Sequence, residues 1–443
     1  MKDGPDSKRG FSPDIFAARR KHVLAELNGS VLVLRSEAGA SGGRHRADRD
    51  LFYLTGVTAP GAVAVIRPGG EDGDFVLFVR SRSAEDERWS GERLGPQRAR
   101  EVFRADTTYT NDTLFEHVPR LLAEAENVYF RIGTRSPVQS LVIGAVHTAR
   151  VRGARKGVGP RGIIDPGQLL DPLRLVKHPE ELERMRWAAA ITVEAYAEMF
   201  AAVKPGVGEW DLEGILDGAF RRRGAGGPAY PTIVGSGVNA CVLHYVDNDR
   251  RTQDGDLVLV DAGAEAGLYV SDVTRTFPVS GSFTAAQRAI YDVVLEAHDQ
   301  AIDGIRPGVT VERIHETVRD VLVDGLLDLG VLDGDKSEVI ETEAYKPFFP
   351  HQTSHWLGLE VHDVGDYTVA GVSRVLEPGM ALSVEPGLYF QGPFEGPGGG
   401  AEYEGIGIRI EDVAVVTSDG HEVLTSAIPV SADEIESLVG GQG

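Results

Sequence analysis

A single cysteine, Cys241, is all that the 443-residue chain holds. It has no partner for an intramolecular disulfide, and no thiolate metal cluster can form around it. Positive charge is also short: 45 Lys plus Arg stand against 67 Asp plus Glu, a formal charge of −22. Nucleic acid is thereby excluded as the main partner, because phosphate binding needs a basic surplus that releases counterions. Long apolar runs are missing too. Nothing approaches the roughly 18 uninterrupted apolar residues of a membrane span, and apolar strands such as Leu257–Val260 are bounded by carboxylates. The opening MKDGPDSKRG lacks the apolar stretch of a secretory signal, so a reducing cytoplasm is the expected compartment. Cys241 itself reads as a small buried hydrophobe.

What is present is the composition of a soluble globular protein, 42% hydrophobic and 25% charged. At about 150 residues per domain, two or three domains are expected. Residues 1–10, charged and Gly/Pro-bearing, read as a tail before a helical pattern over Asp14–Leu27. Strands are expected at Val31–Leu34, Asp50–Thr55, Ala62–Ile66, Phe75–Val79 and Asn127–Ile132. With helices near Arg98–Phe103 and Thr113–Glu126, residues 11–175 form a mixed α/β domain. The basic, Gly-rich stretch Arg152–Arg161 reads as a solvated loop, since it lacks the Lys-Ser/Thr ending of a phosphate-binding loop. At Lys177 the character changes. His178-Pro179-Glu180-Glu181 starts a long helix, with proline in the first turn and acids at the positive end of the dipole. Helices follow from Glu209, Ala285 and Val311, and strands punctuated by Gly and Pro return from Glu343, so residues 176–443 form a second domain. The fold class is α/β (α+β).

An internal echo carries the chemistry. Gly255-Asp256-Leu257-Val258-Leu259-Val260-Asp261 ends an apolar strand on an acid six residues after a glycine, and Gly379-Met380-Ala381-Leu382-Ser383-Val384-Glu385 does the same. Each is followed by a second strand expected to carry another acid: Asp272 within Tyr269–Thr274 and Glu411 within Gly407–Val413. Strand side chains alternate, so Asp261 shares the face of Leu257 and Leu259, and Asp272 that of Val270 and Thr274. Carboxylates buried on such faces are costly unless paired or bound to a cation. Only Arg409 and Arg275 lie nearby in sequence, too few for four acids, so divalent metal is the economical answer. Histidines support it: His351 and His355 stand four apart, His362 follows, and His244 precedes the first strand. A zincin helix is excluded, because Gln352 stands where that motif needs its glutamate and Gly358 interrupts any helix. Four carboxylates and one imidazole would balance two divalent ions, −4 against +4. Such a pair makes a nucleophile near neutral pH and stabilises an oxyanion. Oxygen-rich ligation favours Mn²⁺ or a similar hard ion.

Five segments in order complete the pattern: Val260-Asp261-Ala262-Gly263, Ser271 to Thr276, Ser354 to Gly365, Val384 to Tyr389 and Gly405 to Asp412. Together they resemble the pita-bread metallopeptidases and, within them, the Xaa-Pro aminopeptidases. Arg46 to Val57 also looks like that family's N-terminal domain, so the resemblance covers nearly the whole chain. It implies a mixed α/β N-terminal domain, a C-terminal pita-bread domain and two divalent ions, Mn²⁺ first with Co²⁺ or Zn²⁺ as alternatives. Asp261 would be a terminal ligand of one ion, Asp272 and Glu411 would bridge both, and His355 and Glu385 would complete the other. Glu385 would also carry the proton from the attacking water to the leaving proline nitrogen. His244, His351 and His362 match histidines that bind substrate or steady the tetrahedral intermediate. Arg409 matches a buried arginine that orients the acids, a pairing it would make with a buried acid whether or not catalysis occurs. Tyr389 would lie beside the pocket. Trp89 would narrow its mouth, from a neighbouring subunit of a homodimer or homotetramer.

The implied reaction releases the N-terminal residue from peptides with proline second. Prolidase, which cleaves two-residue substrates, and a non-catalytic peptide binder of the same fold are the alternatives. One departure from the family pattern is Val372, where a second arginine two places before Arg374 is expected.

Overall fold

The computed structural model describes residues 10–37, 45–133, 136–392 and 400–440. Apart from Gly10, the tail read at residues 1–10 lies outside the described residues. The chain divides between Arg174 and Leu175 into two compact units.

The N-terminal unit is built on a six-stranded mixed sheet. Its spatial order is Thr107–Thr110, Phe75–Val79, Val63–Ile66, Val31–Arg35, Val128–Tyr129 and Ile163–Ile164. Alternate residues of the central strands (Val31, Val33, Val63, Val65, Val76, Phe78) pack with Val118 and Leu121 of the helix Leu114–Leu122 and Val142 of the helix Pro137–Gly153. Two expectations fail here. Residues 50–55 are not a strand but part of the helix Arg49–Thr55. The Asp48 side chain caps it by accepting from Leu51 N (2.8 Å), and Gly56 at φ 73° closes it. All seven helical residues are buried, so apolar side chains on every face erase the helical period. Arg152–Arg161 is only partly a loop, because the helix Pro137–Gly153 runs into it and a 3₁₀ turn follows at Ala154–Lys156.

The C-terminal unit repeats one plan twice. A packed helix pair, Pro179–Phe200 and Glu209–Arg222, precedes the antiparallel strands Leu257–Asp261 and Thr274–Pro278. A second pair, Ala285–Gly304 and Val311–Asp328, precedes the antiparallel strands Ala381–Val384 and Asp412–Val416. Capping boxes start one helix of each pair, His178 with Glu181 and Thr284 with Gln287, which satisfies backbone N–H groups that the first turn leaves free. Val258, Val260 and Phe277 pack with the first helix pair, and Leu382, Val384 and Ala414 with the second. Leu259 faces the other way, against Ile233, Cys241 and Tyr389.

Asp272 and Glu411 do not sit inside continuous strands. In each repeat both strands break at the acids and resume as a second, shorter antiparallel pair: Ala264–Ala266 with Tyr269–Val270, and Gly387–Tyr389 with Gly407–Arg409. Glycine permits the close crossing two residues after each leading acid. A Cβ on Gly263 would meet Ser271 O at 1.8 Å, and one on Gly387 would meet Ile408 O at 2.9 Å. Residues 343–367, expected as strands, are mostly turns; they carry His351, His355 and His362 on backbone that is free to aim each ring.

The two repeats are clamped by Arg275, whose side chain is fully buried. Every guanidinium N–H is used: Nε donates to Pro429 O, Nη1 to Thr274 O and Glu411 O, and Nη2 to Ile428 O and the Asp412 carboxylate at 2.9 and 3.1 Å. His298 brings Nε2 to 3.1 Å from Asp412. Burial works against ionised Asp412, but Arg275 and His298 hold its pKa down at about 2. Asp412→Ala would leave the Arg275 charge buried and unpaired, and it is expected to cost about 3 kcal/mol or more. Chemical denaturation followed in the C-terminal unit checks this, and an unchanged midpoint would contradict it.

Candidate metal centre and active site

The strand breaks place four carboxylates on the floor of a cavity of about 1060 Å³. Asp261, Asp272, Glu385 and Glu411 all line it, together with His244, His351, His355, His362 and Arg409. Asp272, His355 and Glu411 present ligand atoms that all lie within 4.8 Å of one another. His355 Nε2 stands 3.4 Å from Asp272 Oδ2, 3.4 Å from Glu385 Oε1 and 4.0 Å from Glu411 Oε1. Asp261 accepts from Arg409 Nη2 at 2.6 Å and from the Tyr230 hydroxyl at 2.6 Å. That hydroxyl also touches Asp272 Oδ1. One phenolic proton cannot serve two ionised carboxylates, so the oxygens crowd together beyond what hydrogen bonding satisfies.

The cations are too few. Of the two arginines near these acids in sequence, Arg275 is committed to Asp412, and only Arg409 reaches the cluster. Burial, reinforced by Asp272, Glu385 and Asp261, pushes the Glu411 carboxyl well up. Burial likewise lifts Glu385 to about 7, although His355 and Arg409 pull it down, and raises Asp261 against the pull of Arg409. His355, despite burial, is raised to about 9 by its bond to Asp272 and the Glu385 charge. The cluster thus binds protons where a stable ion pair network would shed them. A set of four carboxylates and one imidazole at this spacing, with Asp261, Asp272 and Glu411 buried and Glu385 and His355 partly exposed, fits divalent cations of the oxygen-preferring kind.

Around the acids runs a chain of hydrogen bonds. Arg409 Nη1 donates to the Tyr389 hydroxyl at 3.0 Å, and that hydroxyl lies 3.0 Å from His351 Nε2. His351 Nδ1 is 2.8 Å from the Gln352 carbonyl, an acceptor only, so the ring carries its proton on Nδ1 and receives the Tyr389 proton at Nε2. Burial lowers the His351 pKa to about 4, which keeps the ring neutral at pH 7. Arg409 Nε donates to Thr274 Oγ1, which donates to Glu411 Oε2 at 2.7 Å. The His362 ring packs edge-on against His355 with centroids 4.5 Å apart. His244 lines the cavity from an exposed loop.

Trp89 belongs to the N-terminal unit, 85% exposed on the helix Ala84–Ser90. Val372 is exposed in a two-residue strand. The sequence reading passed over Tyr230, which lies between Pro228 and Pro231 outside any motif, and His315, whose Nδ1 lies 2.9 Å from Thr353 Oγ1 at the cavity wall. No pattern marks either residue; only folding brings them to the site.

Comparison with known proteins decides the family. The profile of metallopeptidase family M24 matches residues 183–418, and that of the aminopeptidase P N-terminal domain matches residues 16–129. The chain belongs to metallopeptidase family M24. Its architecture is an α/β N-terminal domain followed by a pita-bread metallopeptidase domain, as the motifs imply, and the family is one of metal-dependent hydrolases. The Xaa-Pro aminopeptidase of Escherichia coli (strain K12) is 42% identical over 397 residues, 89% of each chain. Xaa-Pro aminopeptidase 3 of Homo sapiens is 34% identical over 397 residues, covering 88% of this chain and 76% of the human one. Among solved structures, Pseudomonas aeruginosa aminopeptidase PepP superposes with a TM-score of 0.92 at 40% identity, covering 97% of this chain and 98% of that one. Zinc-substituted Escherichia coli aminopeptidase P in complex with product superposes at 0.90 and 40% identity, over 97% and 99%. Among the described residues no helix is long and apolar enough to cross a membrane.

The proton balance has a measurable sign. Glu385, lifted from an ordinary 4.5 to about 7, and His355, lifted from 6.5 to about 9, bind more protons folded than unfolded. Their contribution to the stability of the metal-stripped protein therefore falls as pH rises through about 7 and then about 9. Metal bound at Glu385 and His355 would expel those protons, because ligands bind deprotonated. Calorimetric titration of the stripped protein with Mn²⁺ at pH 7 is expected to give heats that change with the ionisation enthalpy of the buffer. Identical heats in two such buffers would sink the proton-holding picture.

Proposed function

We propose that the protein is an Xaa-Pro aminopeptidase, releasing the N-terminal residue from peptides whose second residue is proline. The observation that carries this reading is the convergence of Asp261, Asp272, His355, Glu385 and Glu411 on one cavity floor, in a chain that matches Xaa-Pro aminopeptidases along most of its length. These five residues are the proposed ligands of two divalent ions, with manganese the first choice from the oxygen-rich donor set and cobalt or zinc as alternatives. Such a pair supplies Lewis acidity and an activated water. Glu385, flanked by His355 and with Oε2 3.9 Å from His351 Nδ1, takes up a proton at the floor and returns it to the departing proline nitrogen. His244, His351 and His362 face the same space and bind the peptide around the scissile carbonyl. Arg409 and Tyr389 fix Asp261 and His351 in one connected set, so that neither side chain must reorganise during turnover.

The same proposal makes the protein a cytoplasmic homodimer or homotetramer. The lone buried cysteine supports a reducing compartment. The exposed Trp89 supports a partner surface, since among the described residues it leaves a large apolar area in water.

Matched di- and tripeptides with proline second separate the readings. Metal-stripped protein is expected to be inactive, and added Mn²⁺ to restore cleavage of the tripeptide. Cleavage of the dipeptide alone would make the protein a prolidase, and no cleavage with metal bound would make it a peptide-binding relative. Glu385→Ala is expected to lower kcat on the tripeptide by about a hundredfold or more, as for a proton-transferring group.

A further inference from the structure

Glu209 is a carboxylate with no exposure at all, away from the acid cluster and unused by the chemistry above. It opens the helix Glu209–Arg222, where the dipole favours an acid. Five donors surround it. Oε1 accepts from Ser236 N and Ser236 Oγ, both at 2.7 Å, and from Asn239 Nδ2 at 3.2 Å. Oε2 accepts from Arg250 N at 2.8 Å and lies 2.9 Å from the Tyr245 hydroxyl, whose one proton it shares with Asp249 Oδ1 at the same distance. Ser236 stands just before one excursion of chain, residues 237–249, Asn239 and Tyr245 lie within it and Arg250 just after it, so a single carboxylate ties the loop shut. Asn248 adds a second tie, with Oδ1 accepting from Val234 N at 2.9 Å and Nδ2 donating to Thr232 O at 2.8 Å.

The loop's inner side is cavity wall: Leu243, His244 and Val246 all line the site. Leu243 and Tyr245 also pack against Cys241, Leu259 and Tyr389. Yet the His244 ring is exposed, so the aim of this imidazole depends on its backbone more than on its own contacts. We infer that Glu209 is a positioning residue that fixes the 237–249 loop and thereby sets His244 against the substrate. The inference rests on the proposed role of His244 in the peptidase reaction. The partners of Glu209 are Ser236, Asn239, Tyr245 and Arg250, none of them a member of the acid cluster.

Glu209→Gln keeps the shape but turns an amide N–H₂ toward donors, and Tyr245→Phe removes one bond beside His244 in case the first variant does not fold. Each is measured for kcat/KM on the tripeptide, for metal content per chain, and for hydrogen exchange across residues 237–249, alone and combined with His244→Ala. The expected result is a loss of about ten- to a hundredfold in kcat/KM, unchanged metal content, and faster exchange confined to the loop. Neither variant should cost anything further once His244 is alanine, as coupled residues require. An equal loss in the His244→Ala background would overturn the inference, as would undisturbed loop exchange. His244→Ala with full activity would instead remove the reading of His244 and the inference with it.

Discussion

Repulsion among four crowded carboxylates, three of them buried and Glu385 nearly so, is the constraint around which the catalytic unit is arranged. Asp261, Asp272, Glu385 and Glu411 face one another with a single arginine in reach among the described residues. Desolvation and like charge together raise the carboxyl pKa values of Asp261, Glu385 and Glu411. A fold that gathers such groups without a counter-charge loses stability. The surrounding structure is best understood as what holds them close to each other on the cavity floor: broken strands, Gly263 and Gly387 at the crossings, and the Arg275 clamp behind Thr274 and Glu411.

The two repeats divide this work evenly. Each contributes a helix pair, a strand pair and two acids, and neither alone would bring four carboxylates together. Arg275 joins them at the backbone and Arg409 at the side chains, the latter donating to Asp261 of the first repeat from a strand of the second. Rigidity at the floor contrasts with the histidines, which sit on turns and on a loop. Rigid scaffolds that aim loop-borne groups are the usual way to combine precise placement with room for substrate. Glu209 extends that logic to the rim.

Much of this was legible in the sequence because the repeat has a short spacing and an unusual content. An acid ending an apolar strand is unremarkable alone, but Asp261 and Glu385 at the same distance from Gly255 and Gly379 point to one chemistry used twice. The helix from Pro179 announced itself by proline and two acids in its first turn. The sequence misled where burial hides periodicity, as in Arg49–Thr55, and where strands break at functional acids. Asp272 reads as the middle of a strand because Tyr269, Val270, Val273 and Thr274 are all strand formers; the break depends on Ser271 O crossing Gly263, a tertiary fact. Tyr230, Arg275's commitment to Asp412 and the Glu209 hub share that character. Each depends on partners from 27 to 137 residues away, and no local pattern records such pairings.

The central claim is that the buried acids are a binding site for two cations. Native mass spectrometry of the stripped chain titrated with Mn²⁺ tests it most directly, with Glu411→Ala as the control that removes a carboxylate both ions are proposed to share. The account predicts two ions per chain at saturation and their loss in the variant. A chain that takes up none, or a variant that keeps both, would contradict it.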